Sequence, residues 1–141
     1  MVSDLGFAQQ HFLRRSDLLF LAKGVNNFAI EYDKNFERAV ASSLFFILRK
    51  KSPVILSEYI AWYINSAEGQ SYLHSEKVGT SITNINKSTL EEMTIPIPPI
   101  DVQAKIAEVE KLKRKEKNLT ELILKKKQLL VENILLNQIE K

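Results

Sequence analysis

The feature that most constrains this chain is residues 100–141, which contain neither glycine nor proline and follow directly on a proline pair. In "TIPIPPIDVQAKIAEVEKL", Pro98 and Pro99 end the preceding apolar run, and Asp101 places a carboxylate where the positive end of a helix favours one. If helical throughout, the segment is a rod of about 60 Å, at about 1.5 Å per residue. No helix of that length is held by propensity alone, so its apolar stripe has to pack on something. Val102, Ile106, Val109, Leu112, Leu119, Ile123, Leu130 and Ile134 follow one another at intervals of 4, 3, 3, 7, 4, 7 and 4 residues, the spacing of a coiled-coil seam. The run "KRKEKN" before Leu119 and the lysines Lys125 to Lys127 interrupt it. A head of about 100 residues has a radius of gyration near 13 Å, too short to cover the seam by folding back. A partner helix is therefore expected, with Val109, Leu112, Leu119, Ile123, Leu130 and Ile134 buried against it.

Residues 1–99 leave room for one modest core, and the 45% hydrophobic and 26% charged composition of the 141 residues is that of a globular chain. With no cysteine, disulfides and thiolate metal sites are ruled out, and a reducing cytoplasm is the expected compartment. The start "MVSDLGFAQQHF" lacks the basic flank and apolar core of a signal peptide, and no run is long enough to span a bilayer. The net charge of +3 lies wholly in the tail: residues 1–100 carry ten basic and ten acidic side chains, and residues 101–141 carry ten and seven. Charge by itself therefore does not mark the head as a nucleic-acid binder.

Along the head, "DLLFLA" (17–22) predicts a buried strand, ended by the turn residues of "KGVNN". "AVASSLFFILRKK" is apolar on both alternating faces from Val40 to Arg49 and predicts an interior strand. Ser57 reads as the N-cap of a helix from about Glu58 to Ala67, continuing past Gly69 to Leu73, with Ile60, Tyr63 and Ile64 on its inner stripe and Trp62 at the margin. Ser88 and Glu91 have the spacing of a capping box for one helical turn, and "MTIPIP" predicts a short strand that its prolines confine to a sheet edge or exit. The expected class is α+β: a small mixed α/β head over 1–99 and a long coiled-coil helix over 100–141.

No catalytic constellation is present, and no metal or cofactor site is expected. The two histidines, His11 and His74, lack companions at ligand spacing. Glu91 and Glu92 are adjacent on one turn and point apart, and the glycines stand singly at 6, 24, 69 and 79 rather than in a phosphate loop. What the head offers instead is three polar groups: Lys23, Asn26 and Asn27; Arg49, Lys50 and Lys51; and Thr80, Ser81, Thr83, Asn84, Asn86 and Lys87. Asparagine can pair bidentately with adenine, arginine and lysine with guanine, and all of them can hold a phosphate, although such loops also serve simply as turns.

The order of these parts carries a resemblance. "DLLFLAKG", "SSLFFILR", "EYIAWYINSAEGQSYL" and "GTSITNINKSTLEEMTIPIPPIDVQAKIAEVEKL", followed by a Lys- and Leu-rich helix, resemble the target recognition domain of type I restriction-modification specificity subunits. The join "IPIPPIDVQAKIAEV" is the most specific part, and the likeness runs from about Arg15 onward. It implies a non-catalytic, DNA-reading head for one half of a bipartite site. It also implies a helix that pairs antiparallel to set the spacing of the halves, and association with separate methyltransferase and endonuclease subunits.

On this reading Lys23, Asn26, Lys50, Asn84 and Lys87 are the expected DNA contacts, and double-stranded DNA is the expected ligand. The family usually carries two heads and two helices, whereas this chain has room for one of each and begins inside the head. A fragment or half subunit is therefore expected, paired as a homodimer or with another specificity subunit through the helix. The competing expectation is a truncated interaction protein that pairs through its coiled coil without reading DNA.

Overall fold

Cross-strand pairing of alternating apolar residues builds the sheet. The computed structural model describes residues 5–8, 12–34, 39–77 and 83–139. Its strands are β1 (Leu5–Phe7), β2 (Leu18–Leu21), β3 (Ala29–Glu31) and β4 (Phe45–Lys50), all antiparallel in the order β1-β4-β2-β3. Leu18 faces Leu48, Phe20 faces Phe46 and Ala29, and Leu5 faces Lys50. One face therefore gathers Leu5, Leu18, Phe20, Ala29 and Leu48, each at most 4% exposed. Helix α1 (Ser57–Asn65) adds Tyr59, Ile60, Ala61 and Ile64 to the same core. Each large side chain so buried contributes roughly 1.5 to 3 kcal/mol of transfer free energy. The α+β class read from the sequence holds.

Several local boundaries differ from the sequence reading. The interior strand starts at Phe45, not at Val40. Val40 is exposed, and a turn closed by Phe45 N–H donating to the Ser42 carbonyl at 3.0 Å, within the small, polar "ASS" stretch, precedes the strand. Ser57 is not the N-cap of α1. Leu56 holds that position, and the Ser57 hydroxyl donates to the Ser16 carbonyl at 2.6 Å, steadying a residue with φ of 69° in the left-handed region.

The helix also does not run on past Gly69. It stops at Ser66, whose side chain accepts from Gly69 N–H at 3.3 Å and starts α2 (Ala67–Ser75). Gly69 is required there because a Cβ would run into the Tyr63 and Ile64 carbonyl oxygens. In α3 (Lys87–Glu92) the cap is Asn86, accepting from Thr89 N–H at 2.8 Å, while Ser88 lies inside the helix and donates to Asn86 Oδ1.

"MTIPIP" is not a strand, although Met93 and Ile95 are buried and Thr94 and Pro96 are exposed, as alternation requires. Pro96 and Pro98 have no N–H to give a ladder. Their carbonyls are satisfied by side chains instead: Tyr59 Oη donates to Pro96 O at 2.7 Å and Gln103 Nε2 to Pro98 O at 2.8 Å. Gln103, in the first turns of α4 (Ile100–Ile139), is fully buried. Its amide also donates to Val54 O at 2.9 Å, and its Oε1 accepts from Leu56 N–H at 2.9 Å.

The outer edge of β3 is closed by a side chain. Asn65 Oδ1 accepts from Ala29 N–H at 2.8 Å and Asn65 Nδ2 donates to Ala29 O at 2.7 Å, so one amide stands in for a neighbouring strand. Asn65→Ala is expected to lower stability by about 1 to 2 kcal/mol, since both Ala29 groups lose their partner, and to bare an edge open to association. Urea unfolding and light scattering measure the two effects; an unaltered midpoint would refute the capping role.

By contact the chain divides into two compact units, Met1–Ala107 and Glu108–Lys141. Among the described residues no helix is long and apolar enough to cross a membrane.

Candidate nucleic-acid interface

The turn between β2 and β3 is shaped by Gly24, whose φ of 106° suits glycine. It is held from outside by side-chain and backbone groups distant in sequence. Gly24 N–H donates to Asn84 Oδ1 at 3.2 Å, Ile85 N–H to Ala22 O at 2.8 Å, and Lys77 Nζ to Val25 O at 2.9 Å. The first and third polar groups of the sequence thus come together, with Lys23, Asn26 and Asn84 exposed at one end of the sheet.

Their look-alikes are committed to the fold. Asn27 is 4% exposed, donates to Leu21 O at 2.8 Å and accepts from Gln70 Nε2 at 3.0 Å through its own carbonyl. Asn86 is the α3 cap described above. Lys87 is exposed, with its ammonium 5.2 Å from the Phe7 ring centroid and 5.9 Å from that of Phe46, a cation-π geometry. Thr80 and Ser81 lie outside the described residues.

The second polar group sits elsewhere. Lys50 is opposite Leu5 at the far end of β4, roughly 16 Å from Phe45 at about 3.3 Å per residue. The five residues singled out as DNA contacts therefore do not form one patch: Lys23, Asn26 and Asn84 cluster, Lys87 covers the aromatic pair, and Lys50 stands apart.

Arg49 is bound bidentately by Asp17, Nε to Oδ1 at 2.7 Å and Nη2 to Oδ2 at 2.6 Å, and the same carboxylate accepts from Arg14 N–H at 2.8 Å. Asp17 is 1% exposed, so this is a structural pair, and its hydrogen bonds hold the Arg49 guanidinium above its ordinary pKa. Among the described residues no three acidic, His or Cys side chains converge as a metal site.

On α4 the seam changes character along its length. Ile106 packs against the core of the head. Val109, Leu112, Leu119, Ile123, Leu130 and Ile134 are each 50 to 64% exposed. Residues 111–139 are exposed without exception, so these side chains have no cover among the described residues. A second line that the sequence reading passed over, Leu122, Leu129 and Leu136, is exposed as well. It recurs every seventh residue about 100° round the helix from Ile123 and Leu130.

A family model described as the type I restriction modification DNA specificity domain matches residues 11–132. The chain belongs to this family. The match takes in every polar residue singled out above and the seam as far as Leu130. This specificity-domain chain is also 29% identical over 97 residues to the type I restriction enzyme MjaVIII specificity subunit of Methanocaldococcus jannaschii. That alignment covers 69% of the chain and 22% of the subunit, so the chain spans about a fifth of that relative's length.

Three residues that position the specificity-domain surface escaped sequence reasoning: Asp17, Asn65 and Gln103. Only Gln103 left a trace, as the polar residue just after the Pro-Pro join.

Proposed function

We propose that the chain is a DNA sequence-specificity module of a type I restriction-modification system. Residues 1–99 act as a partial target-recognition domain for one half-site, and residues 100–141 act as a spacer helix. The observation that carries this reading is the specificity-domain match, which runs from before β2 through most of α4. The clustered, exposed Lys23, Asn26 and Asn84 are suited to a base edge or phosphate. The seam supports pairing of two copies, or pairing with another specificity subunit, and a symmetric pair would favour a symmetric target. The second apolar line makes the helix wider than one neighbour can cover, which supports docking on a methyltransferase subunit as well. The endonuclease subunit would join through that complex.

Co-expression with the methyltransferase subunit of a type I system, followed by genome-wide mapping of methylated adenine, tests the proposal. Methylation at a defined sequence and salt-dependent retention on DNA are expected. Unchanged methylation together with no DNA retained at low salt ends it.

The balanced charge of residues 1–100 favours one second reading, an interaction protein that occupies another specificity subunit without reading DNA. Co-purification with the methyltransferase and an unaltered methylation pattern would select it.

A further inference from the structure

We propose that the cleft where β1 meets the end of β4 is a phosphate site that holds a DNA strand by charge alone; this rests on the DNA-reading proposal above. The cleft has a volume of about 570 Å³ and is lined by Gly6, Phe12, Arg14, Arg49, Lys50 and Lys51, among others. Among the described residues, none that lines it is acidic. Of its four cations only Arg49 has a carboxylate at ion-pair distance among the described residues, that of Asp17. Glu31 exerts a longer-range attraction on Lys50, while Arg14 and Lys51 are exposed and form no ion pair among the described residues.

A glycine within a strand marks a close approach. Gly6, opposite Arg49, makes room for Lys51: a Cβ on Gly6 would stand 2.8 Å from both Cε and Nζ of that side chain. The lysine is thus laid across β1 into a region already positive, where like charges repel until an anion enters. Arg49 is fixed by its two bonds to Asp17, so the site does not have to order it on binding.

Among the described residues every polar side chain lining the cleft is a cation, and cations of this kind recognise charge rather than the mixed donor and acceptor edge of a base. The amides lie at the other end of β4, on Asn26 and Asn84. One strand thereby separates a charge-reading end from a base-reading end, and a phosphodiester backbone fits the first better than an acidic peptide would.

Salt titration of the full chain on a short mixed-sequence duplex tests the site. Arg14→Gln with Lys51→Gln is expected to make the slope of log K against log salt shallower by about 1.8, and each single change by about 0.9, at about 0.9 per phosphate contact. The loss of affinity should be the same for all sequences. Asn26→Ala should leave the slope alone and alter sequence preference. Wild type that binds, with the double variant unchanged in slope, overturns the cleft and spares the wider reading. An unchanged slope with lost capture of the methyltransferase reassigns the cleft to an acidic protein surface. Wild type that retains no duplex at low salt removes both.

Discussion

Gln103→Leu is expected to destabilise the head by about 2 to 4 kcal/mol, because three backbone groups lose a partner at once. The side chain is fully buried and bonds Leu56 N–H, Val54 O and Pro98 O. Leucine of similar length can fill the space and satisfies none of them. For a unit of this size the loss corresponds to a fall of roughly 10 to 20 °C in Tm, a large share of the 5 to 15 kcal/mol by which domains are ordinarily stable.

Gln103→Glu sharpens the test. A carboxylate can still accept from Leu56 N–H but cannot donate to the two carbonyls, and burial raises its pKa in the folded state. The folded chain then keeps that proton to higher pH than the unfolded chain, whose glutamate titrates near 4.3. Stability should fall as pH rises from the unfolded towards the folded pKa and be partly regained on acidification, once the wild-type profile is subtracted. A Leu variant within about 0.5 kcal/mol of wild type, the usual spread for inconsequential surface changes, would show that the amide is dispensable.

Leu119→Glu combined with Ile123→Glu should abolish helix pairing. Each side chain is half-exposed in the isolated chain, and a well-buried Leu or Ile in a paired seam is worth roughly 2 to 5 kcal/mol relative to alanine. Even the lower figure at both positions weakens association by about a thousandfold, at about 1.4 kcal/mol per tenfold, and two buried carboxylates add to the loss. Sizing with light scattering should give a monomer, and helix content should drop because α4 is then a solvated stripe of marginal stability. An assembly of unaltered mass would mean that the seam faces water, leaving Leu122, Leu129 and Leu136 as the candidate contact line.

The polar residues show how far residue type can be trusted. Asn26 and Asn27 are neighbours of the same kind, yet one is exposed and the other buried with its amide bound to Leu21 O. Asn84 and Asn86 are both exposed, yet each spends its Oδ1 on a backbone N–H, the first bracing Gly24 and the second capping α3. Arg49 and Lys51 fall in one basic run, but Asp17, 32 positions away from Arg49, binds only the arginine. β1 and β3 were illegible because three residues each hold too little pattern to distinguish a strand from a turn. "MTIPIP" misled in the other direction: its alternation is real, but prolines withhold the donors that a ladder needs.

Local chemistry settled what local chemistry can. The apolar runs of β2 and β4, the missing proline N–H groups at 96, 98 and 99, and the unbroken run from Ile100 define the α+β order and the long helix without reference to any distant residue. Tertiary structure alone decided which polar groups remain free to meet a ligand. A donor or acceptor is spent by whatever lies beside it in space, as Gln103 is by Val54 and Leu56 nearly fifty residues earlier, and burial forces that pairing because an unmatched polar atom inside a protein is costly.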